Sequence, residues 1–395
     1  MLLSLALIFL IGMTLGNIAE RFKLPKLLGM LLTGMLLGPN GLNLLDSTIL
    51  DVSTELRQIA LIIILVRAGL NLDGNDLKKV GRPAILLCFV PALFEIVGML
   101  LLAPKLLGIS LLDAAVMGSV VAAVSPAVIV PSMLKLMESG YGTKKSIPQM
   151  IMAGASVDDV FVIVLFTALS TLSQSGSLSN FNWLTIPSSI LLGLLVGVVA
   201  GLGLSFLFTK FHIRDTGKVI IILSVSFLLV SFEQAVSSIV GFSGLLAVMA
   251  LGAAIHQQKR IVSKRLSGKF SKLWFAAEVL LFVLVGASVN IGYSFNAGLQ
   301  SIVLVFSVTL FRMVGVAISL IRTNLNKKER LFTGFAYIPK ATVQAAIGGL
   351  PLAMGLSSGE IILTIAVVSI LLTAPLGAIL IDSSFKRLLI KSKVA

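Results

Sequence analysis

The sequence predicts an all-α polytopic membrane protein, and this interpretation rests on its composition and on the spacing of its apolar runs. Of the 395 residues, 57% are hydrophobic and 12% are charged, too little charge for the hydrated surface of a soluble domain. Apolar runs of about 20 residues recur along the chain, each long enough to cross a hydrocarbon core of about 30 Å as a helix. Because lipid offers no partner for backbone amides, the runs are predicted to be helical.

Apolar runs separated by polar breaks give thirteen predicted spans. They cover residues 2–19, 26–39, 56–72, 83–103, 109–137, 146–173, 184–211, 216–234, 238–257, 271–290, 296–321, 330–354 and 359–381. The first run lacks a basic n-region, so it is interpreted as a retained span and not as a signal peptide. The sequence therefore predicts one transmembrane domain over 1–395 that ends in a short basic cytoplasmic tail, 382–395.

The basic residues predict an orientation. If the C-terminus is cytoplasmic, most of the 31 lysines and arginines fall in cytoplasmic segments, whereas the opposite side keeps Lys105 and Arg57. This pattern follows the positive-inside rule and predicts a cell (plasma or inner) membrane protein with its N-terminus outside. The net charge of +14 is then a topology signal, since the basic clusters form no continuous stripe for nucleic acid. The single cysteine, Cys88, excludes an intrachain disulfide and a cysteine-based metal site.

Two pairs of spans share sequence patterns and indicate an internal repeat. The third and tenth spans end similarly at Asn71 and Asn290, and the second and ninth spans share a pattern of small residues, GMLLTGMLLG (29–38) and GLLAVMALGA (244–253). In both pairs the partners lie seven spans apart, which reverses their orientation in the membrane. The sequence therefore predicts inverted six-helix repeats, with repeat one over about 1–175, a linking span over about 184–211 and repeat two over about 216–381.

Prolines interrupt the fifth and twelfth spans, which the repeat pairs with each other. The fifth contains AVSPAVIVPSM (123–133) and the twelfth YIPKATVQAAIGGLP (337–351). Proline removes an amide donor and clashes with the preceding turn, so both helices are predicted to break, near Pro126 and Pro339. Crossed half-helices would present carbonyls and dipole ends at mid-membrane, which favours a cation site. Lys340 is expected to offset the negative carboxyl ends of these half-helices.

Five ionisable residues are predicted to share one depth near the centre of the bilayer. Glu95, Asp158, Asp159, Arg312 and Lys340 lie about 10 to 12 residues into their spans, or roughly 15–18 Å. A charge at that depth costs at least about 2.5–3.5 kcal/mol, so a shared polar site is expected. The adjacent carboxylates of Asp158 and Asp159 repel each other when both are ionised, and either a proton or a hard cation such as Na⁺ relieves this repulsion. A structural ion pair or a helix cap is the alternative interpretation of these acids.

Arg312 and Glu95 are interpreted as a structural pair, because arginine stays protonated and binds carboxylates through its planar fork. The sequence leaves open whether Arg312 pairs with Glu95, with Asp158 or with both.

These motifs in combination resemble the cation/proton antiporter superfamily over essentially the whole chain. They are SPAVIVPSM, GASVDDVF, LFRMVG and PKATVQAAIG, and the paired aspartates are most similar to those of the NHA-type sodium/proton exchangers. The resemblance implies an NhaA-like fold of about 13 helices with two broken crossing helices, and a homodimer in the bilayer. Many paired-aspartate antiporters have a lysine where this chain has Arg312, which marks a departure from their pattern.

The resemblance also implies residue roles and an activity. Asp159 would be the principal ligand of the transported Na⁺ or Li⁺ and Asp158 its partner, with help from Ser125 and Thr342, whereas Lys340 would balance the crossed helix dipoles. The implied activity is exchange of the cation for H⁺ by alternating access, without a cofactor. A K⁺/H⁺ antiporter on the same fold and a cation channel remain alternatives. An enzyme is not expected, since no nucleophile and base are paired.

Overall fold

The computed structural model describes residues 1–72, 81–174, 185–236, 241–289 and 298–391. These residues form helices joined by short loops, and the one extended pairing among them is an isolated antiparallel bridge between Tyr141 and Lys391. The α-helices are α1 Leu2–Arg21, α2 Lys26–Leu37, α3 Ser47–Asp51, α4 Ser53–Asn71, α5 Arg82–Leu87, α6 Val90–Leu107, α7 Leu111–Val121, α8 Pro126–Glu138, α9 Ile147–Gln174, α10 Thr185–Lys210, α11 Asp215–Val236, α12 Gly244–Gln258, α13 Arg260–Ala287, α14 Gly298–Ser319, α15 Lys327–Ala336, α16 Thr342–Ile347, α17 Leu350–Ala353 and α18 Gly359–Leu388.

The predicted all-helical, membrane-spanning character is confirmed. Within the described ranges, nine helical segments are long and apolar enough to cross a bilayer, and three further apolar helices are shorter. The second predicted span corresponds to one of the short helices, α2, which has 12 residues. Every predicted span overlaps a helix, but the number of thirteen crossings stays a prediction. Asn290, which supported the repeat, lies outside the described residues.

Both predicted helix breaks are present. The fifth span divides into α7 and α8 around residues 122–125, which we call the first break, and α8 begins at Pro126. The twelfth divides into α15 and α16 around residues 337–341, the second break. Proline tolerates the first position of a helix, where the missing N–H has no intrahelical acceptor, and this explains why a helix restarts at Pro126. Pro131, in contrast, lies inside α8 without ending it.

Two helices differ from their predicted extents. The fourth span is divided at Cys88 and Phe89. The amides of these two residues donate to carbonyls three residues earlier, and α6 begins at Val90 with Pro91 in its first turn. The tenth span was predicted to begin at residue 271, but α13 begins at Arg260. Its basic residues therefore continue the helix beyond the apolar run, which is consistent with the good helix propensity of lysine and arginine.

The chain forms two compact units. The first comprises Met1–Thr54, Asn75–Val162 and Leu281–Ala395, and the second comprises Glu55–Gly74 and Ile163–Leu280. The first unit contains both helix breaks and an apolar core around Val124, Ile151 and Tyr337. In the second unit, α12 is buried along most of its length, and its His256 Nδ1 contacts the carbonyl oxygen of Leu70 at 2.8 Å.

Candidate functional site

The two helix breaks contact each other directly inside the first unit. The amide of Ser125 donates to the carbonyl oxygen of Pro339 at 2.8 Å, and the hydroxyl oxygens of Ser125 and Thr342 lie 3.1 Å apart. Ser125 and Thr342 are buried, with 1% and 5% of their surface exposed. Four helix ends therefore meet here: the carboxyl ends of α7 and α15 and the amino ends of α8 and α16. Such ends leave backbone groups unpaired, and these need partners in a buried site.

Cationic side chains bind the free carbonyls at the two carboxyl ends. Arg312 donates from Nη1 to the carbonyl of Ala122, the C-cap residue of α7, and from Nε to the carbonyl of Tyr337, the C-cap residue of α15, at 2.8 Å. Lys340 Nζ donates to the carbonyl of Val121 at 2.8 Å. Positive charge at the negative end of a helix dipole is stabilising. Both Lys340 and Arg312 therefore place positive charge at these carboxyl ends, and the compensating role of Lys340 stays a prediction.

The same two cations form a buried ion-pair network with two carboxylates. Arg312 Nη2 lies 2.8 Å from Asp158 Oδ2, and Arg312 Nη1 lies 3.0 Å from Glu95 Oε2. Lys340 Nζ lies 2.6 Å from Glu95 Oε1. All four side chains are at most 1% exposed, so the formal charges cancel inside the protein. The question left open by the sequence has a clear answer: Arg312 pairs with both Glu95 and Asp158.

Asp158 and Asp159 keep unfilled oxygen atoms beside this network. Asp158 Oδ2 also accepts the amide of Val124, in the first break, at 2.7 Å, but Asp158 Oδ1 has no hydrogen-bond partner among the described residues. Asp159 Oδ1 has no such partner either, and no ion pair to Asp159 is present in the described ranges. Asp158 is fully buried, whereas Asp159 is partly exposed. Unpaired buried carboxylate oxygens are costly, so they point to a ligand that supplies positive charge.

The donor set fits a hard monovalent cation better than a transition metal. Two carboxylates and two hydroxyls supply oxygen only, which is the ligand type that hard cations prefer. The described residues contain no group of three or more His, Cys, Asp or Glu side chains that could hold a metal ion.

A comparison with protein families identifies the chain. The model of the family described as "Sodium/hydrogen exchanger, transmembrane" matches residues 5–385. The chain belongs to the sodium/hydrogen exchanger family. Human sodium/hydrogen exchanger 9B2 is 36% identical over 389 residues, covering 93% of this chain and 70% of that protein. Human sodium/hydrogen exchanger 9B1 is 31% identical over 401 residues, covering 96% and 76%.

This exchanger also shares its fold with a solved structure. The sodium proton antiporter MjNhaP1 from Methanocaldococcus jannaschii at pH 8 superimposes with a TM-score of 0.82 at 22% identity, covering 97% of each chain. At that identity the likeness concerns the fold. The chain is therefore a multi-pass membrane protein with the fold of this antiporter.

The exchanger brings the predicted site residues together in two groups. Glu95, Asp158, Arg312 and Lys340 form one ion-pair network, and Ser125 and Thr342 form a separate hydroxyl pair. Asp159 joins neither group through a hydrogen bond or an ion pair of the described residues. Its assigned role as principal ligand therefore stays a prediction.

Sequence reasoning missed Gln344. Its Nε2 donates to the carbonyls of Val121, at 3.0 Å, and Ala123, at 2.8 Å, while its Oε1 has no partner among the described residues. The available signal was an amide in the PKATVQAAIG motif, about one turn beyond the proline break. The residue was overlooked because an uncharged side chain imposes no large cost of burial that would mark it as functional.

Proposed function

We propose that this chain is a secondary active antiporter that exchanges Na⁺ or Li⁺ for H⁺, with the cation and the proton competing for Asp158 and Asp159. The observation that carries the proposal is the unfilled Oδ1 of Asp158, whose carboxylate is bonded to the first break, together with the unfilled Oδ1 of the adjacent Asp159. Membership of the sodium/hydrogen exchanger family supports the same activity. The family and the relatives are named for sodium, which favours Na⁺ over the potassium alternative.

The ligand set follows from the position of each oxygen. Asp159 is the principal ligand because no cation of the described residues pairs with it and its Oδ1 is buried without a hydrogen-bond partner among those residues. Asp158 supplies its free Oδ1 while Oδ2 stays bonded to Arg312 and to the amide of Val124. Ser125 and Thr342 contribute hydroxyl oxygens from the two breaks. A site that holds either Na⁺ or a proton at Asp159 couples the two fluxes by competition.

The remaining charged residues hold the site in place. Arg312 and Lys340 neutralise Glu95 and the carboxyl ends of α7 and α15, so their role is structural and charge-compensating. An arginine is suited to this role because it keeps its proton at every physiological pH.

Alternating access follows from the proposed repeat. Thirteen crossings in two inverted six-helix repeats place the broken helices at symmetry-related positions. We propose that spans four to six and eleven to thirteen move as one body. The first compact unit contains most of these spans, together with spans one and two. We further propose a homodimer in the cell membrane, with the N-terminus outside and the C-terminus cytoplasmic.

Substitution of Asp159 tests the function. We expect Asp159→Asn to abolish Na⁺-dependent dissipation of a pH gradient in liposomes, because an amide neither exchanges a proton at neutral pH nor supplies negative charge. Asp382→Asn is the matched control, since Asp382 is 51% exposed and pairs with Lys135 at the surface. Both variants should purify as folded protein. Exchange at the normal rate in Asp159→Asn would refute the proposed role of the aspartates.

A further inference from the structure

Tyr337 occupies a position that the ion-pair network alone does not explain. It caps α15 at the start of the second break, and its carbonyl accepts Arg312 Nε at 2.8 Å. The guanidinium carbon of Arg312 also lies 5.6 Å from the centre of the Tyr337 ring. Arg312 in turn binds Asp158, so Tyr337 and Asp158 are held by the same side chain.

The hydroxyl group of Tyr337 is buried without a hydrogen bond. The residue is 1% exposed, and its hydroxyl oxygen has no partner among the described residues. A buried hydroxyl without a partner lowers stability, so phenylalanine would be the better residue if this position served the core alone.

The hydroxyl lies against the backbone of α9 at Gly154. A Cβ atom built on Gly154 would overlap the Tyr337 hydroxyl oxygen, and it would lie 2.9 Å from Leu87 Cβ and 3.4 Å from Tyr337 Cζ. Gly154 precedes Asp158 by four residues, so the two lie on the same face of α9, one turn apart. Glycine at 154 is thus what allows the aspartate-bearing helix to approach the second break this closely.

We propose that Tyr337 is a positioning residue for ion binding, whose hydroxyl contact with Gly154 sets where α9 presents Asp158 and Asp159 to the crossed breaks. This inference rests on the proposed antiport function and adds a specific steric determinant to it. Arg312 fixes the Asp158 carboxylate from one side, and the Tyr337 hydroxyl fixes the helix backbone one turn away. The hydroxyl contact acts on the helix backbone, whereas Arg312 and the amide of Val124 hold the carboxylate itself.

The contact predicts a specific pattern in a double-variant cycle. Gly154→Ala should raise the apparent KM for Na⁺ by about tenfold or more, because displacement of a binding group by about 1 Å is known to have effects up to about a hundredfold. Tyr337→Phe keeps the ring and the carbonyl, so we expect a smaller rise of about twofold to threefold. In the double variant, the alanine methyl no longer meets the hydroxyl and only the 2.9 Å contact with Leu87 Cβ remains. KM should then fall well below that of Gly154→Ala, a non-additive result that is diagnostic of direct contact.

The measurements are Na⁺-dependent proton flux in liposomes and the Tm of the purified proteins. Gly203→Ala is the matched control, because a Cβ at Gly203 has no atom within 4 Å. It should leave KM unchanged and should not lower Tm, since alanine favours the helix more than glycine does. The Tm series tests the contact independently of transport. Gly154→Ala should lower Tm, and the added Tyr337→Phe should recover part of the loss, since the contact with Leu87 Cβ remains. If Gly154→Ala does not fold, recovery of folded, active protein in the double variant supports the proposal.

Two results would overturn the proposal. One is a KM and Tm of Gly154→Ala equal to those of Gly203→Ala. The other is a defect in Gly154→Ala, including failure to fold, that Tyr337→Phe does not reduce. A wild-type protein without any Na⁺-dependent proton flux would instead refute the proposed function, whereas the Tm series would still decide the contact.

Discussion

Arg312 connects more parts of the site than any other residue described above. Three of its nitrogen atoms reach four acceptors, which are the carboxylates of Glu95 and Asp158 and the carbonyls of Ala122 and Tyr337. A guanidinium offers five donors in a planar fork, so one side chain can serve acceptors that point in different directions. An ammonium group has three donors at a single point and cannot span the same set.

Arg312→Lys should therefore destabilise the protein although the charge is kept. Each buried acceptor left without a donor costs about 1–3 kcal/mol, and the lysine leaves at least one of the four acceptors in this state. The measurement is thermal unfolding of the purified variant. Arg265→Lys is the matched control, because Arg265 is 56% exposed and pairs with Asp215 at the surface, where the change should stay within about 0.5 kcal/mol. Equal stability of the two variants would contradict the assigned role of Arg312.

At the residue scale, the sequence predicted which charges meet but not how they pair. Their predicted depth in the membrane identified Glu95, Asp158, Arg312 and Lys340, because a charge at the centre of the bilayer costs free energy unless it has partners. The pairing depends on side-chain directions between helices separated by 154 and 217 residues in sequence, and no local pattern encodes these directions. The periodicity of the apolar residues likewise did not predict that Asp159 is partly exposed while the adjacent Asp158 is buried.

At the element scale, side chains stabilise the breaks in the two crossed helices by donating hydrogen bonds to carbonyls that have no backbone donor. The sequence predicted the breaks near Pro126 and Pro339 because proline has no N–H to donate to the series of backbone hydrogen bonds in a helix. It did not predict the division of the fourth span before Pro91, where an apolar run was read as a continuous helix. Hydrophobicity identifies an apolar run but does not show which backbone hydrogen bonds form inside it, so this interruption became visible only in the structure.

Gln344 gives the prediction that belongs to this scale. Its amide donates to two carbonyls around the carboxyl end of α7. Gln344→Leu should leave the carbonyl of Ala123 unfilled at similar side-chain volume, whereas Val121 keeps its bond from Lys340. We expect a loss of about 1–3 kcal/mol for the unfilled carbonyl, together with slower exchange. The measurements are thermal unfolding and proton flux, with the exposed Gln257→Leu as control. A Gln344→Leu variant as stable and active as the control would show that the amide does not hold the break.

At the scale of the whole molecule, composition and loop charge predicted a multi-pass helical membrane protein, and the fold match to MjNhaP1 agrees. The division into two compact units could not be predicted, because helices α4, α9 and α13 each contribute to both units while the sequence shows each as one apolar run. Unit boundaries inside a helix depend on which neighbours each turn contacts, and this is a property of packing.

Coupling of two fluxes is also a property of the whole molecule, and it depends on one claim: a cation and a proton compete at Asp158 and Asp159. The most direct test is the number of protons released when Na⁺ binds to the purified wild-type protein in weakly buffered solution. The account predicts proton release that saturates with Na⁺ and an apparent Na⁺ affinity that falls up to about tenfold per pH unit in acid, since linked binding is reciprocal. Sodium binding with no proton release and no dependence on pH would contradict the account.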